Sequence, residues 1–579
     1  MRASVQRKLS FSIYFCLHLF AEIVVSSSAY AQRTTGSISG RVVAEDGQPM
    51  SRVAVMILAG GQNVMKTVMG GSSRQMTDSE GRFQADGLEA AAYQITVNAP
   101  GYVMPQGNEP DKQPVYRLGD TPTIVMRKGG VITGRVTDTA GRSLVGVIVA
   151  AELADGGYGT AAQTLSLQIG GLNQMPRTTD DRGQFRLYGL SPGRYVVLAN
   201  PAALMADASN PFRAQPATYH PSATRDGATI VNVIGGSESG GVNIRFRGGA
   251  GFAVSGKLKG MLAGDGMISN LTTIQLKAVN ADDILATTVI LPMLGSDGFA
   301  FYGIPNGDYE LIAQQLIFKD QSTQRSAPVR VTVNNADVTN LSLTLSAMAT
   351  INGKLALVSS SSAAAATACK DARASKLDEV ALRLERAPFT KKSTALRLLL
   401  GEAAQGFADE NHAFRFTGLA TGTFWLTPDL PSPHWYVKAL AAEKTATVSA
   451  TNGIALKAGE KLSNLTLTLA TDGAQLQGRV IAADKARQVF LVPAETEAPV
   501  HRFAETVSAN DGGFAFASIA PGKYWLVTRP AAKPDEAPRQ PLAWDATERA
   551  KLVKEAVAAN QAVELKACQS LKQQEIKLP

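Results

Sequence analysis

One strand–turn–strand phrase occurs five times along this chain, and this repetition constrains the fold more than any other feature. In its second copy the phrase is DDRGQFRLYGLSPGRYVVL, residues 180–198. Two aromatic residues, ten positions apart, bracket its second turn in every copy: Phe83/Tyr93, Phe185/Tyr195, Phe299/Tyr309, Phe414/Phe424 and Phe514/Tyr524. A unit that recurs with fixed internal spacing indicates a tandem array of similar modules. The chain is therefore predicted to contain five related domains.

The residues of this phrase predict two short strands joined by tight turns. Asp180 and Gly183 favour a turn, because an Asp side chain bonds nearby backbone and Gly accepts a positive φ. Phe185 and Leu187 alternate with polar neighbours, which is the period of a half-buried strand. The segment 189–193, Gly-Leu-Ser-Pro-Gly, then reverses the chain before the second strand, since Pro presets φ for a turn.

Each module also opens and closes with recognisable strands. The opening strand has the pattern apolar-x-Gly-basic-apolar around Gly40, Gly134, Gly256, Gly353 and Gly478. Glycine inside a strand pattern indicates a bulge or a close approach of backbone. The closing phrase, such as VTVNNADVTNLSLTLSA at 331–347, is a strand, a short turn and another strand. About seven short strands in roughly 100 residues predict an antiparallel β-sandwich.

The predicted fold class is all-β, with about five sandwich modules at residues 32–129, 130–249, 250–347, 348–472 and 473–579. Module 4 carries an insertion that is predicted to be partly helical over Ala395–Gln405. A capping-box-like start at 545–548 and an apolar stripe predict one amphipathic helix over 546–559. This helix either packs on module 5 or lies on a membrane surface, and packing is favoured because the stripe is short and lacks aromatic residues.

The first 31 residues have the pattern of an export signal. Basic residues at positions 2, 7 and 8 precede a mostly apolar run at 9–25, and an A-x-A site ends at Ala31. We expect cleavage between Ala31 and Gln32, with no transmembrane segment in the mature chain. The mature protein would then be periplasmic, on the outer surface or extracellular. An uncleaved membrane anchor is the alternative, which the short and polar-interrupted run disfavours.

Two cysteines remain in the mature chain, Cys369 and Cys568. Exported chains form disulfides readily, and a bridge here would tie module 4 to the C-terminal segment. The alternative is two separate thiols, because sequence alone cannot place the two residues within bonding distance.

No constellation in the sequence predicts catalysis, a metal site or a cofactor. The mature chain has four histidines, and none stands in an H-x-x-E or H-E-x-x-H spacing; they are His220, His412, His434 and His501. The nucleophile elbow G-x-S-x-G is absent as well. The net charge of +8 is not concentrated in a basic cluster with interleaved aromatic residues, so no nucleic-acid partner is indicated. We therefore predict a protein that is not an enzyme.

The strand alternation singles out Trp425 and Trp525 as candidate binding residues. If Phe424 and Tyr524 point into their cores, the tryptophan that follows each of them points outward. The two tryptophans are either sugar-stacking platforms or packed against a neighbouring module, the insertion or the helix. Packing is favoured, because large aromatic side chains normally find cover. Predicted loops carry further aromatic residues with the same two interpretations: Trp435, Tyr436 and Tyr219.

Three features together resemble the carboxypeptidase regulatory-like domain: the Gly-Arg/Lys strand, the Asp-x-Gly-x-Phe turn and the Gly-Leu-x-Pro-Gly-x-Tyr turn. The resemblance covers essentially the whole mature chain as five copies, and the fourth departs most because residues 409–413 replace the compact Asp-x-Gly turn. It implies a transthyretin-like β-sandwich, a fold also grouped with carbohydrate-binding-like folds. In metallocarboxypeptidases this domain accompanies the catalytic domain and carries no catalytic residues, so the resemblance implies no peptidase activity.

The function expected from the sequence is that of an exported, non-catalytic binding or scaffold protein of the cell envelope. Carbohydrate or an envelope polymer is the first expected ligand, by analogy of fold, and other envelope proteins are further expected partners. The alternatives are a secreted hydrolase that acts on peptide or glycan, and an accessory subunit of an outer-membrane system. A bound zinc or a convergent pair of carboxylates in a cleft would support the hydrolase.

Overall fold

A computed structural model describes residues 35–577 apart from 61–72, 105–113, 155–176, 201–211, 213, 263–269, 280–283, 291–296, 318, 320–321, 359–368, 370–373, 389–396, 398–399, 443–447, 450, 482–484, 496 and 532–540. The predicted export signal and its cleavage site lie outside the described residues. Strands predominate in the described part, and five separate hydrophobic cores follow one another along the chain. The all-β tandem fold predicted from the sequence is confirmed.

Modules 1 and 2 are each built from two sheets. The strands of module 1 are β1 (Thr35–Ala44), β2 (Ala54–Ala59), β3 (Ser73–Met76), β4 (Arg82–Glu89), β5 (Tyr93–Asn98), β6 (Tyr102–Val103) and β7 (Thr123–Lys128). Their orders are β4-β1-β7-β6 and β3-β2-β5. The strands of module 2 are β8 (Gly130–Thr137), β9 (Ile148–Leu153), β10 (Arg177–Thr178), β11 (Gln184–Leu190), β12 (Gly193–Ala199), β13 (Thr218–Tyr219), β14 (Val231–Val233), β15 (Glu238–Ser239) and β16 (Ile244–Arg245). Their orders are β11-β8-β15, with β16 also on β8, and β10-β9-β12-β13, with β14 also on β12.

Module 3 joins its two sheets into one. Its strands are β17 (Phe252–Lys259), β18 (Asn270–Ala278), β19 (Ile284–Ile290), β20 (Gly298–Ile304), β21 (Gly307–Ile317), β22 (Ser322–Ser326), β23 (Val329–Val333) and β24 (Val338–Ala347). The order is β19-β18-β21-β22-β24-β17-β20, with β23 also on β21. Strand β22 makes the connection, because it pairs with β21 on one side and β24 on the other.

Modules 4 and 5 return to two sheets. The strands of module 4 are β25 (Ala349–Val358), β26 (Ala381–Ala387), β27 (Ala403–Phe407), β28 (Ala413–Leu419), β29 (Gly422–Asp429), β30 (Tyr436–Ala442), β31 (Val448–Ser449), β32 (Gly453–Leu456) and β33 (Lys461–Ala470). Those of module 5 are β34 (Ala474–Val480), β35 (Arg487–Pro493), β36 (Ala504–Val507), β37 (Gly513–Ile519), β38 (Gly522–Pro530), β39 (Ala562–Leu565) and β40 (Ser570–Ile576), with helix α1 (Ala546–Ala559) between β38 and β39. The orders are β28-β25-β33-β30 and β27-β26-β29-β32-β31, then β37-β34-β40 and β36-β35-β38-β39. Short 3-10 turns occur at Arg225–Gly227, Leu377–Glu379, Val500–Arg502 and Leu542–Trp544.

The opening strand of every module pairs with both the recurring phrase and the closing strand. It lies antiparallel to the first strand of the phrase, as β1 lies beside β4, and parallel to the closing strand, as β1 lies beside β7. The same arrangement recurs in the other four modules. The sequence predicted sandwiches that are antiparallel throughout, and this is wrong for one pair of strands. The first and last strands of each module run in the same direction.

The glycine of each opening strand lies where the closing segment approaches it, and in four of the five modules an aromatic ring approaches it as well. A Cβ atom built on Gly478 would lie 2.1 Å from the carbonyl oxygen of Gln574 and 2.5 Å from the ring of Phe514. Such an atom would also lie within 2.6 Å of a closing-segment carbonyl oxygen in the other four modules, at Gly40, Gly134, Gly256 and Gly353. The close approach predicted from the glycine pattern is confirmed, and it explains why no side chain occurs there.

The second aromatic residue of the phrase closes its own turn in four modules. The Tyr93 hydroxyl donates to the Glu89 carbonyl at 2.6 Å, and the Tyr195 hydroxyl donates to the Ser191 carbonyl at 2.9 Å. The equivalent bonds run from Tyr309 to Pro305 and from Tyr524 to Ala520. Burial raises the pKa of Tyr93, Tyr195 and Tyr309 to about 12, so these hydroxyls stay protonated. Module 4 has the buried Phe424 instead and lacks this bond.

The fourth copy keeps the turn despite its divergent sequence. The Asp409 carboxylate accepts the backbone N–H groups of Asn411 at 2.8 Å and Ala413 at 2.9 Å. His412 adopts a φ of +59° where Gly183 of the second copy has +71°. The departure seen in the sequence is therefore a substitution within a preserved turn.

Helix α1 occupies the predicted residues, Ala546–Ala559. The Asp545 carboxylate caps it by accepting the N–H groups of Thr547 at 2.8 Å and Glu548 at 2.9 Å. Leu552 and Ala556 are almost fully buried in a cluster formed with the sheet of module 5. The helix therefore packs on module 5, which was the favoured of its two interpretations.

The helix predicted within Ala395–Gln405 is wrong for its C-terminal part. Ala403–Gln405 belong to β27, which pairs antiparallel with β26. Pairing with a sheet edge satisfies the backbone groups of this segment, and this tertiary contact overrides the local helix propensity. Arg397 is helical, and most of the remaining residues of the predicted helix lie outside the described part.

The array is bent rather than extended, because module 1 contacts module 4. The Arg117 guanidinium bonds the Asp429 carboxylate at 2.8 Å, and the Gln94 side-chain amide donates to Gln405 at 3.1 Å. Beside them Gly60 packs so tightly on the Phe407 ring that a Cβ atom on Gly60 would lie 2.1 Å away from it.

We predict that Ser518→Gly stabilises the second turn of module 5. Ser518 has a φ of +59° where the other modules have Gly at +69° to +71°. The left-handed conformation is unfavourable for an L-residue, so its replacement by Gly should stabilise the folded chain. The greater entropy of Gly in the unfolded chain offsets part of this gain, and we expect the free energy of unfolding to rise by about 0.5–1 kcal/mol. Hydrogen–deuterium exchange in β37 and β38 of the mature chain should slow by roughly two- to five-fold.

The matched control is Gly87→Ser in module 1, where no atom lies within 4 Å of a new Cβ. There the backbone conformation alone opposes the change, and exchange in β4 and β5 should accelerate. Slower exchange in both variants, or faster exchange in both, would contradict the conformational explanation.

Candidate functional site

A cavity of about 560 Å³ lies at the junction of modules 2 and 3. Module 2 contributes β13 and the turn Arg225–Gly227, and module 3 contributes β20 and the turn that follows it. The connecting segment from Arg247 to Phe252 forms part of the lining between them. Small-molecule sites in proteins have volumes of about 300–1,000 Å³ and occur preferentially where domains meet.

The lining of this cavity carries charges of both signs. Arg225 forms an ion pair with the buried Glu152 at 3.4 Å. Asp226, next in the chain, lies close enough to Tyr309 of module 3 to contribute, after burial, to the raised pKa of that phenol, about 12. Arg247 is exposed on the connecting segment. The positive and negative side chains therefore balance.

The module 3 wall presents an aromatic ring and two carboxamides. Tyr302 on β20 is 37% exposed. The Asn306 amide donates to the Asn335 side-chain oxygen at 2.7 Å, and the Asn335 N–H donates to the Asn306 oxygen at 2.8 Å. Because a carboxamide has two donor hydrogens and two acceptor lone pairs, this pair keeps bonding capacity for a ligand.

The five aromatic residues proposed from the sequence do not form an exposed platform. Trp425 is 8% exposed and stacks on Trp544, with ring centroids 5.6 Å apart. Trp525 is half-buried beneath α1, and Trp435 lies in the core of module 4. Both strand tryptophans leave their own core as predicted, but module 5 covers Trp425 and the helix covers Trp525.

Tyr436 and Tyr219 lie on strands β30 and β13 rather than in the predicted loops, and both are covered. Tyr436 is half-buried at the junction of modules 4 and 5, and burial with the nearby Asp472 carboxylate raises its pKa to about 12. Tyr219 is 3% exposed and lines the cavity between modules 2 and 3. Among the five predicted binding residues, Tyr219 is therefore the one that lines this cavity.

The junction of modules 4 and 5 is held covalently. Cys369 and Cys568 form a disulfide with their Cα atoms 5.1 Å apart. Of the two alternatives that the sequence left open, the structure has the bridge. The Cys568 N–H donates to Asp472 at 3.0 Å, and the Ser518 N–H donates to Pro433 at 2.9 Å.

Each of the four histidines has a structural partner, which for His501 is the backbone of Lys438. The Nδ1 atoms of His220 and His434 contact the carbonyl oxygens of Asn243 and Gly473, at 2.6 and 3.2 Å. His412 Nδ1 lies 2.8 Å from the Asp378 carboxylate. Within the described residues, no group of three or more His, Cys, Asp and Glu side chains is placed to hold a metal ion. No helix in that same part is long and apolar enough to cross a membrane.

Comparison with known proteins identifies the first module. Residues 37–109 match the carboxypeptidase regulatory-like domain, so the resemblance predicted from the sequence is confirmed for this segment. No curated protein matches the chain.

Solved structures with some likeness include pilins and one other bacterial protein. A minor pilin of the gram-positive pathogen Streptococcus agalactiae is 11% identical over 37% of this chain and 97% of its own, with a TM-score of 0.20. A shaft pilin of Lactobacillus rhamnosus GG is 12% identical over 37% of this chain and 99% of its own, with a TM-score of 0.18. The Bacillus anthracis TIE protein is 11% identical over 54% of this chain and 51% of its own, with a TM-score of 0.14. The chain thus spans about half the length of the last protein, and TM-scores this low say nothing about function.

Apart from Tyr219, the cavity residues are not among those that the sequence singles out. On the second strand of the phrase, the strand alternation places the two tryptophans outward. Applied to the first strand, the same rule places Tyr302 outward, since its neighbours Phe301 and Gly303 are buried. The partners of Tyr302 across the cavity belong to another module, and no local pattern indicates them.

We predict a specific pH dependence for the junction of modules 4 and 5. Burial lowers the pKa of His501 to about 4, and the neighbouring Arg502 adds to the effect. Between about pH 6.5 and 4 the unfolded chain therefore binds a proton at this residue that the folded chain does not, so stability falls as the pH falls. We expect His501 to account for about 2–3 kcal/mol of destabilisation between pH 7 and pH 4.5.

The measurement is urea unfolding at both pH values, followed by tryptophan fluorescence, because Trp425 and Trp544 stack at this junction. In His501→Gln the difference between the two pH values should shrink by the stated amount. The raised pKa of Glu505 acts in the opposite direction, but it is common to both proteins and cancels. An equal pH dependence in both proteins would contradict the assignment.

Proposed function

We propose that this protein is an exported, non-catalytic scaffold of the cell envelope that binds carbohydrate or an envelope polymer. The observation that carries the proposal is the construction of the junctions between modules. The Arg117–Asp429 ion pair, the Trp425–Trp544 stack and the Cys369–Cys568 disulfide hold modules against one another. Such a body presents binding surfaces in a fixed arrangement.

Export is supported by two independent features. The N-terminal 31 residues have the pattern of a cleaved signal, and a disulfide persists in oxidising compartments outside the cytoplasm. The match of residues 37–109 to the carboxypeptidase regulatory-like domain supports a non-catalytic role for the first module.

We expect the protein to bind envelope polymer without altering it. The mature chain, residues 32–579, should sediment with purified cell-wall sacculi or extracted envelope polysaccharide, and no reducing ends or free amines should appear on incubation. Release of either product would favour the hydrolase instead. Sedimentation with outer-membrane vesicles alone would favour the accessory-subunit alternative and contradict polymer binding.

Export is testable on its own. Full-length protein with a C-terminal tag should be recovered outside the cytoplasm with Gln32 as its first residue. Replacing Ala29 and Ala31 by Arg should prevent that cleavage, because signal cleavage requires small residues at these two positions. Recovery of uncleaved wild-type protein in the cytoplasm would contradict export.

A further inference from the structure

We propose that the cavity between modules 2 and 3 is a binding site for a short neutral oligosaccharide, held across the joint between the modules. This rests on the proposed binding function and gives it a place and a ligand class.

The joint between modules 2 and 3 differs from the other three. One residue separates the last strand of a module from the first strand of the next at Gly129 and at Met348, and three residues do so at 471–473. Six residues, 246–251, separate β16 from β17. The cavity therefore lies at the longest of the four joints.

The connecting segment combines a firm contact with an unusual backbone. Gly248 and Gly249 have φ values of +62° and +94°, which favour glycine. Gly251 donates its N–H to Ala214 at 3.1 Å and packs so closely on Gly303 that a Cβ atom would lie 2.4 Å from that Cα. Gly303 lines the cavity, so this contact holds the module 3 wall against the connecting segment.

The charges of the cavity favour a neutral ligand. The described lining residues include Arg225, Arg247 and Asp226, and the ion pair with the buried Glu152 neutralises Arg225. One charge of each sign then remains among these residues, whereas a site for an anionic ligand presents an excess of basic groups.

The remaining lining has the chemistry that recognises sugars. Hydroxyl groups both donate and accept hydrogen bonds, as do the exposed carboxamides of Asn306 and Asn335. The ring of Tyr302 offers an aromatic surface on which the C–H face of a sugar ring can pack. A small ligand that contacts both walls favours the arrangement of the two modules in which those contacts form together.

The test is titration calorimetry of the mature full-length chain with maltotriose, cellotriose, triacetylchitotriose and, as an anionic comparison, trigalacturonate. At least one neutral trisaccharide should bind, and more tightly than trigalacturonate. Tyr302→Ala and Asn306→Ala should each weaken that binding by about tenfold, the effect of losing about 1.4 kcal/mol. Bound sugar should also slow hydrogen–deuterium exchange at residues 247–252.

Leu357→Ala is the matched control, because Leu357 is 38% exposed, close to the 37% of Tyr302, and lies in module 4 away from the cavity. It should bind like wild type, and unfolding curves of all three variants check that they fold. Sugar binding that neither cavity variant changes would overturn this site while leaving the proposed function intact. Tighter binding of trigalacturonate, or no oligosaccharide binding by a protein that still sediments with envelope polymer, would overturn the ligand class.

Discussion

The close contact between the opening and closing strands of each module is the constraint on which the structure depends. The closing segment comes within 2.6 Å of the Cβ position of the opening-strand glycine, and in four modules the phenylalanine ring of the phrase comes within 2.8 Å of it. Any side chain there would push the closing strand away and open the sandwich. Because the first and last strands of a module lie side by side, the chain enters the next module almost directly, and three of the four joints have at most three residues.

Short joints make the contacts between modules specific. A module that follows its neighbour after one to three residues cannot rotate freely, so side chains at the interface are buried in a fixed arrangement. Trp425 shows the consequence: it leaves the core of module 4, as its strand position requires, and is buried again against Trp544 and Val500 of module 5. The bend that brings Arg117 of module 1 to Asp429 of module 4 depends on the three intervening joints, two of one residue and one of six.

The repeated unit tolerates the loss of single characteristic residues, because several interactions together specify its fold. Module 4 lacks the tyrosine that closes the second turn, yet Phe424 is fully buried and its strand pairs normally. Module 5 has Ser518 in place of a glycine, and its turn keeps the same positive φ. Each copy retains the opening-strand glycine and the first phenylalanine, the two residues of the central contact. This consistency between local pattern and tertiary packing is what allowed the fold to be predicted.

The sequence by itself determined the five sandwiches, their turns and helix α1, because alternation, turn residues and caps act over a few neighbouring positions. It could not determine whether two distant cysteines meet, that Ala403–Phe407 forms a strand, or that the outward tryptophans are covered. The sequence could not indicate the cavity of the candidate site either, since its lining residues Arg225 and Tyr302 come from separate modules that are brought together at one joint. Those features depend on contacts between residues tens to hundreds of positions apart, and only the tertiary structure decides which of these contacts form.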